Sequence, residues 1–132
     1  MTTPVRDINR RFERAVPILR VNNLGVALNH YVDVLGFTRA EWGNEFFTSV
    51  SRDGAEIYLC QRGQGAAGTW LWVGVDDVDA LFAEYQVSGA KIRLPPGNYP
   101  WAYEMHVEDS DGHVIRFGSK PRRDLPFAEA TF

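Results

Sequence analysis

Apolar and polar positions change their period several times along this chain, and each change predicts an element. Ala15 to Val21 is a short apolar run suited to a strand. Asn23 follows as an N-cap whose side-chain oxygen can accept from the first free backbone amides of a helix. Leu24, Leu28, Tyr31 and Leu35 fall on one helical face, and Gly36 ends the helix. Thr38 to Trp42, Glu45 to Ser51 and Ala55 to Gln61 read as three strands, turning at Gly43-Asn44 and Asp53-Gly54. The first half is therefore β-α-β-β-β, and the small residues from Gly63 to Gly68 read as a flexible linker.

The second half repeats the first. A shift of 54 residues carries Val21-Asn22-Asn23-Leu24 onto Val75-Asp76-Asp77-Val78 and Tyr31 onto Tyr85, and a shift of 58 carries Asp53-Gly54 onto Asp111-Gly112. Asp77 caps a second helix over Val78 to Val87, with Asp79 in its first turn. Tyr99 to Gly118 alternates on both sides of Asp109-Ser110-Asp111-Gly112, which predicts a β-hairpin. One face of that hairpin is apolar. The other carries Glu104, His106 and Arg116, with Trp101 at its mouth, because side chains two apart share a sheet face. A duplicated supersecondary unit cannot bury its sheet alone, so the fold class is α+β, two βαβββ modules whose curved sheets enclose a cleft.

Composition narrows the function classes. At 132 residues, 45% hydrophobic and 13% aromatic, the chain can bury a real core as one domain. It divides into an arm over 1–14, modules over 15–62 and 69–119, and a C-terminal tail over 120–132. A net charge of -3 argues against a nucleic-acid partner, which would require a basic surface. No apolar run approaches the roughly 18 residues that a membrane span needs. The single cysteine, Cys60, cannot form an internal disulfide, which points to a reducing cytoplasm and a packed strand residue.

Candidate chemistry is sparse. His30, in mid-helix, and His113, beside a turn, read as exposed histidines of no special role, whereas His106 reads either as a ligand contact or as a satisfied structural histidine. Asp76-Asp77 and Asp109-Asp111 are explained by capping and turn formation. Glu104 and Arg116 are expected to pair across the cleft. Aromatics are more informative: Trp70 and Trp72 share a face, Trp101 follows Pro100 in a loop, and of the adjacent Phe46 and Phe47 only one can point to the core. Such rings stack on flat ligands, at about 0.5–1.5 kcal/mol per pair beyond burial.

The string V-P-I-L-R-V-N-N-L, then H-Y-V-D-V-L-G-F and the final D-S-D-G-H-V-I-R-F, resemble the vicinal-oxygen-chelate superfamily of glyoxalases, dioxygenases and bleomycin-resistance proteins. Within it, A-V-P-I-L, W-L-W-V and Y-P-W-A-Y-E are most similar to the bleomycin-resistance branch. The resemblance implies that enzymatic members bind a divalent metal at positions occupied here by Val16, Tyr58, Trp70 and Arg116. Valine, tryptophan and a guanidinium are not ligands for such an ion, and a slip that brings in Glu56 adds only one carboxylate. It therefore implies a non-catalytic protein without a cofactor, which sequesters a planar, cationic antibiotic between subunits. Trp72 and Trp101 would clamp the rings, Glu104 would meet the cationic tail, and His106, Arg116, Phe46, Tyr58 and Trp70 would line the remainder. Pro17 in the first strand implies a homodimer, with that strand exchanged between subunits. The alternatives are a metal-dependent glyoxalase- or dioxygenase-like enzyme and a carrier for another aromatic metabolite. The purified protein is predicted to hold no stoichiometric Zn, Ni, Mn or Fe by elemental analysis; about one metal per chain surviving dialysis against chelator would overturn this.

Overall fold

The computed structural model describes residues 10–132, so the part of the expected arm over residues 1–9 lies outside the described residues. The first module runs β1 (Ile18–Val21), α1 (Leu24–Asn29), β2 (Thr38–Arg39), β3 (Phe47–Arg52) and β4 (Ala55–Gln61). The second runs β5 (Trp70–Gly74), α2 (Val78–Ser88), β6 (Lys91–Asn98), β7 (Tyr103–Glu108) and β8 (Val114–Ser119). Each module makes one four-stranded mixed sheet, ordered β1-β4-β3-β2 and β5-β8-β7-β6, in which the first and last strands run parallel. The duplication holds to the register: Ile18 faces Tyr58 in one sheet and Trp72 faces Arg116 in the other, the same two positions under the shifts read from the sequence.

Both helices begin at the expected caps. Asn23 Oδ1 accepts from Val26 N at 2.9 Å and Asp77 Oδ1 from Ala80 N at 2.9 Å. The first helix continues past Asn29 as a π-helical turn over His30–Val34, which brings Tyr31 and Leu35 into the core with Leu24 and Leu28. Gly112 takes the positive φ (83°) that the β7–β8 turn demands.

Several details differ from the sequence reading: β1 begins at Ile18, which leaves Pro17 just outside the first strand, and β3 is Phe47–Arg52. The strand expected over Thr38 to Trp42 is only Thr38–Arg39; past it the chain keeps one further bond, from Ala40 N to Ser49 O, and turns at Asn44, whose Oδ1 accepts from Phe46 N and Phe47 N. Strand β6 contains Pro95 and Pro96, which hide it in the sequence; it tolerates them as an edge strand with shifted register on either side of Leu94. Neither His30 nor His113 is an exposed bystander. His30 is half-buried, its Nε2 is without a hydrogen-bond partner, and burial lowers its pKa. His113 is fully buried: Nδ1 accepts from Thr69 N at 3.0 Å, which leaves Nε2 to donate to Arg20 O at 2.6 Å. Cys60 is buried in β4, as expected.

The apolar faces of the two sheets share one core. Leu19, Val50, Ile57 and Leu59 from the first sheet join Met105, Val107, Ile115 and Phe117 from the second around the two helices. The opposite faces of both sheets consequently point outward. Polar bonds lock the modules in this arrangement in both directions. Tyr31 Oη donates to Asp109 Oδ2 in the second module at 2.7 Å, and Tyr85 Oη donates to Leu35 O in the first at 2.8 Å. Arg52 adds a two-bonded ion pair to Glu84, at 2.6 and 2.8 Å.

Replacing Tyr31 by Phe leaves a buried oxygen of Asp109 without its donor, and urea unfolding should register a loss of about 1–3 kcal/mol. Burial above all, then Asp109, raises the Tyr31 hydroxyl well above its ordinary pKa. An unfolded phenol ionises near pH 10 and the folded one does not, so stability present below about pH 10 should fall as pH rises past it, less steeply in Tyr31→Phe.

Candidate functional site

Strands β7 and β8 put Glu104, His106 and Arg116 on the outward face of the second sheet, with His106 directly opposite Arg116. Glu104 is fully buried there and accepts from three side chains. Its Oε1 takes Trp101 Nε1 at 2.5 Å and Arg116 Nη2 at 2.9 Å; its Oε2 takes His106 Nε2 at 2.6 Å and Arg116 Nε at 2.7 Å. Four donors for two oxygens use the whole acceptor capacity of a carboxylate. The expected Glu104–Arg116 pair is therefore present, between neighbouring strands of one sheet. Glu104, expected to meet a ligand's cation, has its acceptor sites filled by these three side chains. What Glu104 does instead is cancel the charge of Arg116 and fix the orientation of Trp101.

Protonation follows from this geometry. Burial alone would raise the Glu104 pKa, but the hydrogen bonds from Arg116, His106 and Trp101 outweigh it and hold the carboxyl below its ordinary range. Burial lowers the His106 pKa against the pull of Glu104, so the ring is neutral at pH 7 and carries its proton on Nε2. His106 is in this sense a satisfied histidine.

The tryptophans surround this buried cluster and stay open to solvent. Trp70, Trp72 and Trp101 are 45%, 52% and 49% exposed. Trp70 meets His106 edge-on at 5.6 Å and lies under the Arg93 guanidinium at 5.1 Å. Trp72 lies against the backbone of Gly118, where a Cβ would come within 2.7 Å of the indole and displace the ring. Trp101 stacks on Tyr99, 5.1 Å between centroids and 10° between planes.

The outward face of the first sheet supplies a second aromatic group. Tyr58 meets Phe47 and Trp42, each at 5.5 Å, and Trp42 stacks on Phe47 at 6.1 Å. Phe47 is the residue of its pair that reaches Tyr58, and the ring of Phe46, the one expected at the site, is half-exposed beside the Asn44 turn. Glu56 is occupied by Ser49 Oγ at 2.7 Å and by Arg14 at 2.9 Å. Sequence reasoning missed Phe47, Tyr99 and Arg93; only the alternation of β3 could have indicated Phe47, since the other two depend on loop and edge-strand geometry.

Val16, Tyr58, Trp70 and Arg116 do not fit a divalent metal, and among the described residues no group of three or more His, Cys, Asp or Glu side chains could hold one. A groove of about 690 Å³ runs past Phe37, Val75 and the Arg52–Glu84 pair along the seam between modules, away from the tryptophans.

Two repeated βαβββ modules with an aromatic outward face define a protein of the glyoxalase-like α+β class. The chain belongs to the Glyoxalase/Bleomycin resistance protein/Dioxygenase superfamily, whose model matches residues 11–117. Solved structures with this fold include the bleomycin-binding protein of bleomycin-producing Streptomyces verticillus complexed with copper(II)-bleomycin. It is 25% identical, with a TM-score of 0.73 over 86% of this chain and 99% of that one. TnmS3, an antibiotic-binding protein from Streptomyces sp. CB03234, is 25% identical, with a TM-score of 0.67 over 86% and 100%. TioX from Micromonospora sp. ML1, at 22% identity and a TM-score of 0.70 over 81% and 98%, shares the fold. No curated protein matches the sequence.

Glu104→Gln puts an amide donor among Glu104's donors and leaves the Arg116 charge uncompensated. Denaturant unfolding should show a loss of about 3 kcal/mol or more. A carboxyl held below its ordinary pKa stabilises the fold above about pH 4 and loses that contribution as pH falls further. The acid limb of the stability profile should accordingly be flatter in the variant.

Proposed function

We propose that this protein is a non-catalytic binding protein that sequesters a planar aromatic antibiotic of the bleomycin type, in clefts formed when two copies pair. The observation that carries the proposal is the outward face of the second sheet, where Trp70, Trp72 and Trp101 are about half-exposed around polar groups that are already satisfied. Large rings left open on a rigid strand face are costly unless something covers them. The buried polar cluster holds those rings in place without a reactive group of its own: its histidine is neutral and its carboxylate is saturated. Sequestration asks no more than this, since it depends on affinity and not on a transition state.

The same layout supports the pairing of two copies. The aromatic faces of the two sheets turn away from a shared core, so a cleft walled on both sides requires a second chain to supply the facing sheet. Pro17 lies immediately before the edge strand β1, where its missing N–H breaks no ladder bond and where strand exchange could hinge. The similar bleomycin-binding protein and TnmS3 favour an antibiotic as the ligand. The charges refine its chemistry. Glu104 and Glu56 are both spent on arginines, so stacking, and not ion pairing with a carboxylate, dominates recognition.

Titration with bleomycin by calorimetry, alongside light scattering, tests the proposal. Wild type should bind as a particle of two chains, and Trp101→Ala, measured well below its melting temperature because it also loses the bond to buried Glu104, should weaken binding by about 2 kcal/mol or more. A monomer at micromolar concentration would remove the two-chain cleft, equal affinity in the variant would move the ligand elsewhere, and no binding by wild type would remove the antibiotic.

A further inference from the structure

Phe132 lies on the outward face of the second sheet, far in sequence from the strands that build it. Its ring stands edge-on to His106 at 4.6 Å, to Tyr99 at 5.4 Å and to Trp101 at 6.0 Å, with interplanar angles of 77°, 88° and 83°. The guanidinium carbon of Arg116 sits 5.4 Å from the ring centroid. The groups best placed to hold a ligand's ring thus already hold one from the chain itself.

The tail reaches this place along a built track. Asn98, buried at the end of β6, donates through Nδ2 to Arg122 O at 2.9 Å and Leu125 O at 3.0 Å. Its Oδ1 accepts from Arg122 N at 2.7 Å, and its backbone carbonyl accepts from Ala128 N at 2.7 Å. Arg122 is further held by Asp79 and lies over the Tyr103 ring. Among the described hydrogen bonds, the one from Ala128 is the last that fastens the tail. Beyond it, residues 129–132 can span about 13 Å when extended, enough to carry the ring off the sheet. Phe132 is itself 48% exposed, so it is seated lightly.

We infer that Tyr99, Trp101, His106 and Arg116 form a subsite for an uncharged aromatic ring, and that Phe132 is its built-in occupant, which a ligand ring must displace. The ligand half of this inference rests on the proposed binding role; the occupancy by Phe132 rests on the contacts alone. The guanidinium beside the seat, paired with Glu104, favours the electron-rich face of a neutral ring. An occupant seated about nine-tenths of the time weakens apparent affinity about tenfold, since only the open fraction can bind.

The test is Phe132→Ala in the full chain. An amidated peptide of residues 127–132 should bind this variant saturably and shift the Trp101 indole N–H resonance, assigned by its loss in Trp101→Ala, back toward its wild-type position. Calorimetry should then show bleomycin binding about tenfold tighter to Phe132→Ala than to wild type, and the peptide should compete with it. Weaker binding of bleomycin by the variant would make Phe132 a wall of the site and overturn the inference. So would an indole resonance indifferent to both the substitution and the peptide. If neither protein binds bleomycin while the peptide still shifts the resonance, the antibiotic assignment falls and the ring subsite with its occupant stands.

Discussion

Tyr31 and Tyr85 cross between the two repeats in opposite directions, and the placement of everything else follows from that exchange. Each tyrosine sits on the inner face of its own helix and spends its hydroxyl on the other module, Tyr31 on Asp109 and Tyr85 on the carbonyl of Leu35. Both rings are completely buried, so neither hydroxyl could be left unmade without a full desolvation cost. The bonds therefore fix the relative position of two sheets that the apolar core alone would hold less specifically. Asp109 extends the lock by accepting from the backbone of Asp111 and His113, and His113 reaches back to Arg20. The hairpin that carries Glu104, His106 and Arg116 is tied to the first module through its own turn.

With the inner faces committed to each other, both outer faces become available for recognition. Their rings are positioned by different means. In the first sheet Trp42, Phe47 and Tyr58 support one another. In the second a buried carboxylate does the work, because Glu104 binds the indole of Trp101, the ring of His106 and the fork of Arg116 together. Each of those side chains would otherwise sample several rotamers, and a ligand would have to order them at a cost of about 0.5–1.5 kcal/mol apiece. Preorganisation of this kind suits the binding role proposed above. It also explains why the strongest charges in the region are unavailable to a ligand.

The tail brings a third element to the same face. Asn98 converts residues 122–128 from a loose extension into a strap by satisfying backbone groups that have no strand partner. Phe132 then closes against Trp101 and His106. Geometry of this sort couples the edge strand β6 to the outward face of the second sheet, although no strand of the sheet contains the ring that arrives there.

Local rules were enough to determine the repeat, the two capped helices, strand β4 and the turn at Gly112. Each depends on neighbours in sequence: a cap three residues ahead of its amide, a period of two, a glycine at positive φ. They also brought Glu104, His106 and Arg116 to one face, since alternation along a hairpin decides that without the rest of the fold. Whether those groups are free is a different kind of question. Glu104 is closed to a ligand because Trp101 and Arg116 converge on it from a loop and a neighbouring strand, and such a count of donors exists only in three dimensions. The burial of His113 depends on Arg20, 93 residues away. Strand β6 was hidden by Pro95 and Pro96, whose cost vanishes only when the strand lies at an edge. Phe132 gave no sign in the sequence, because a single aromatic in an aperiodic tail acquires a place only when Asn98 turns that tail back across the sheet.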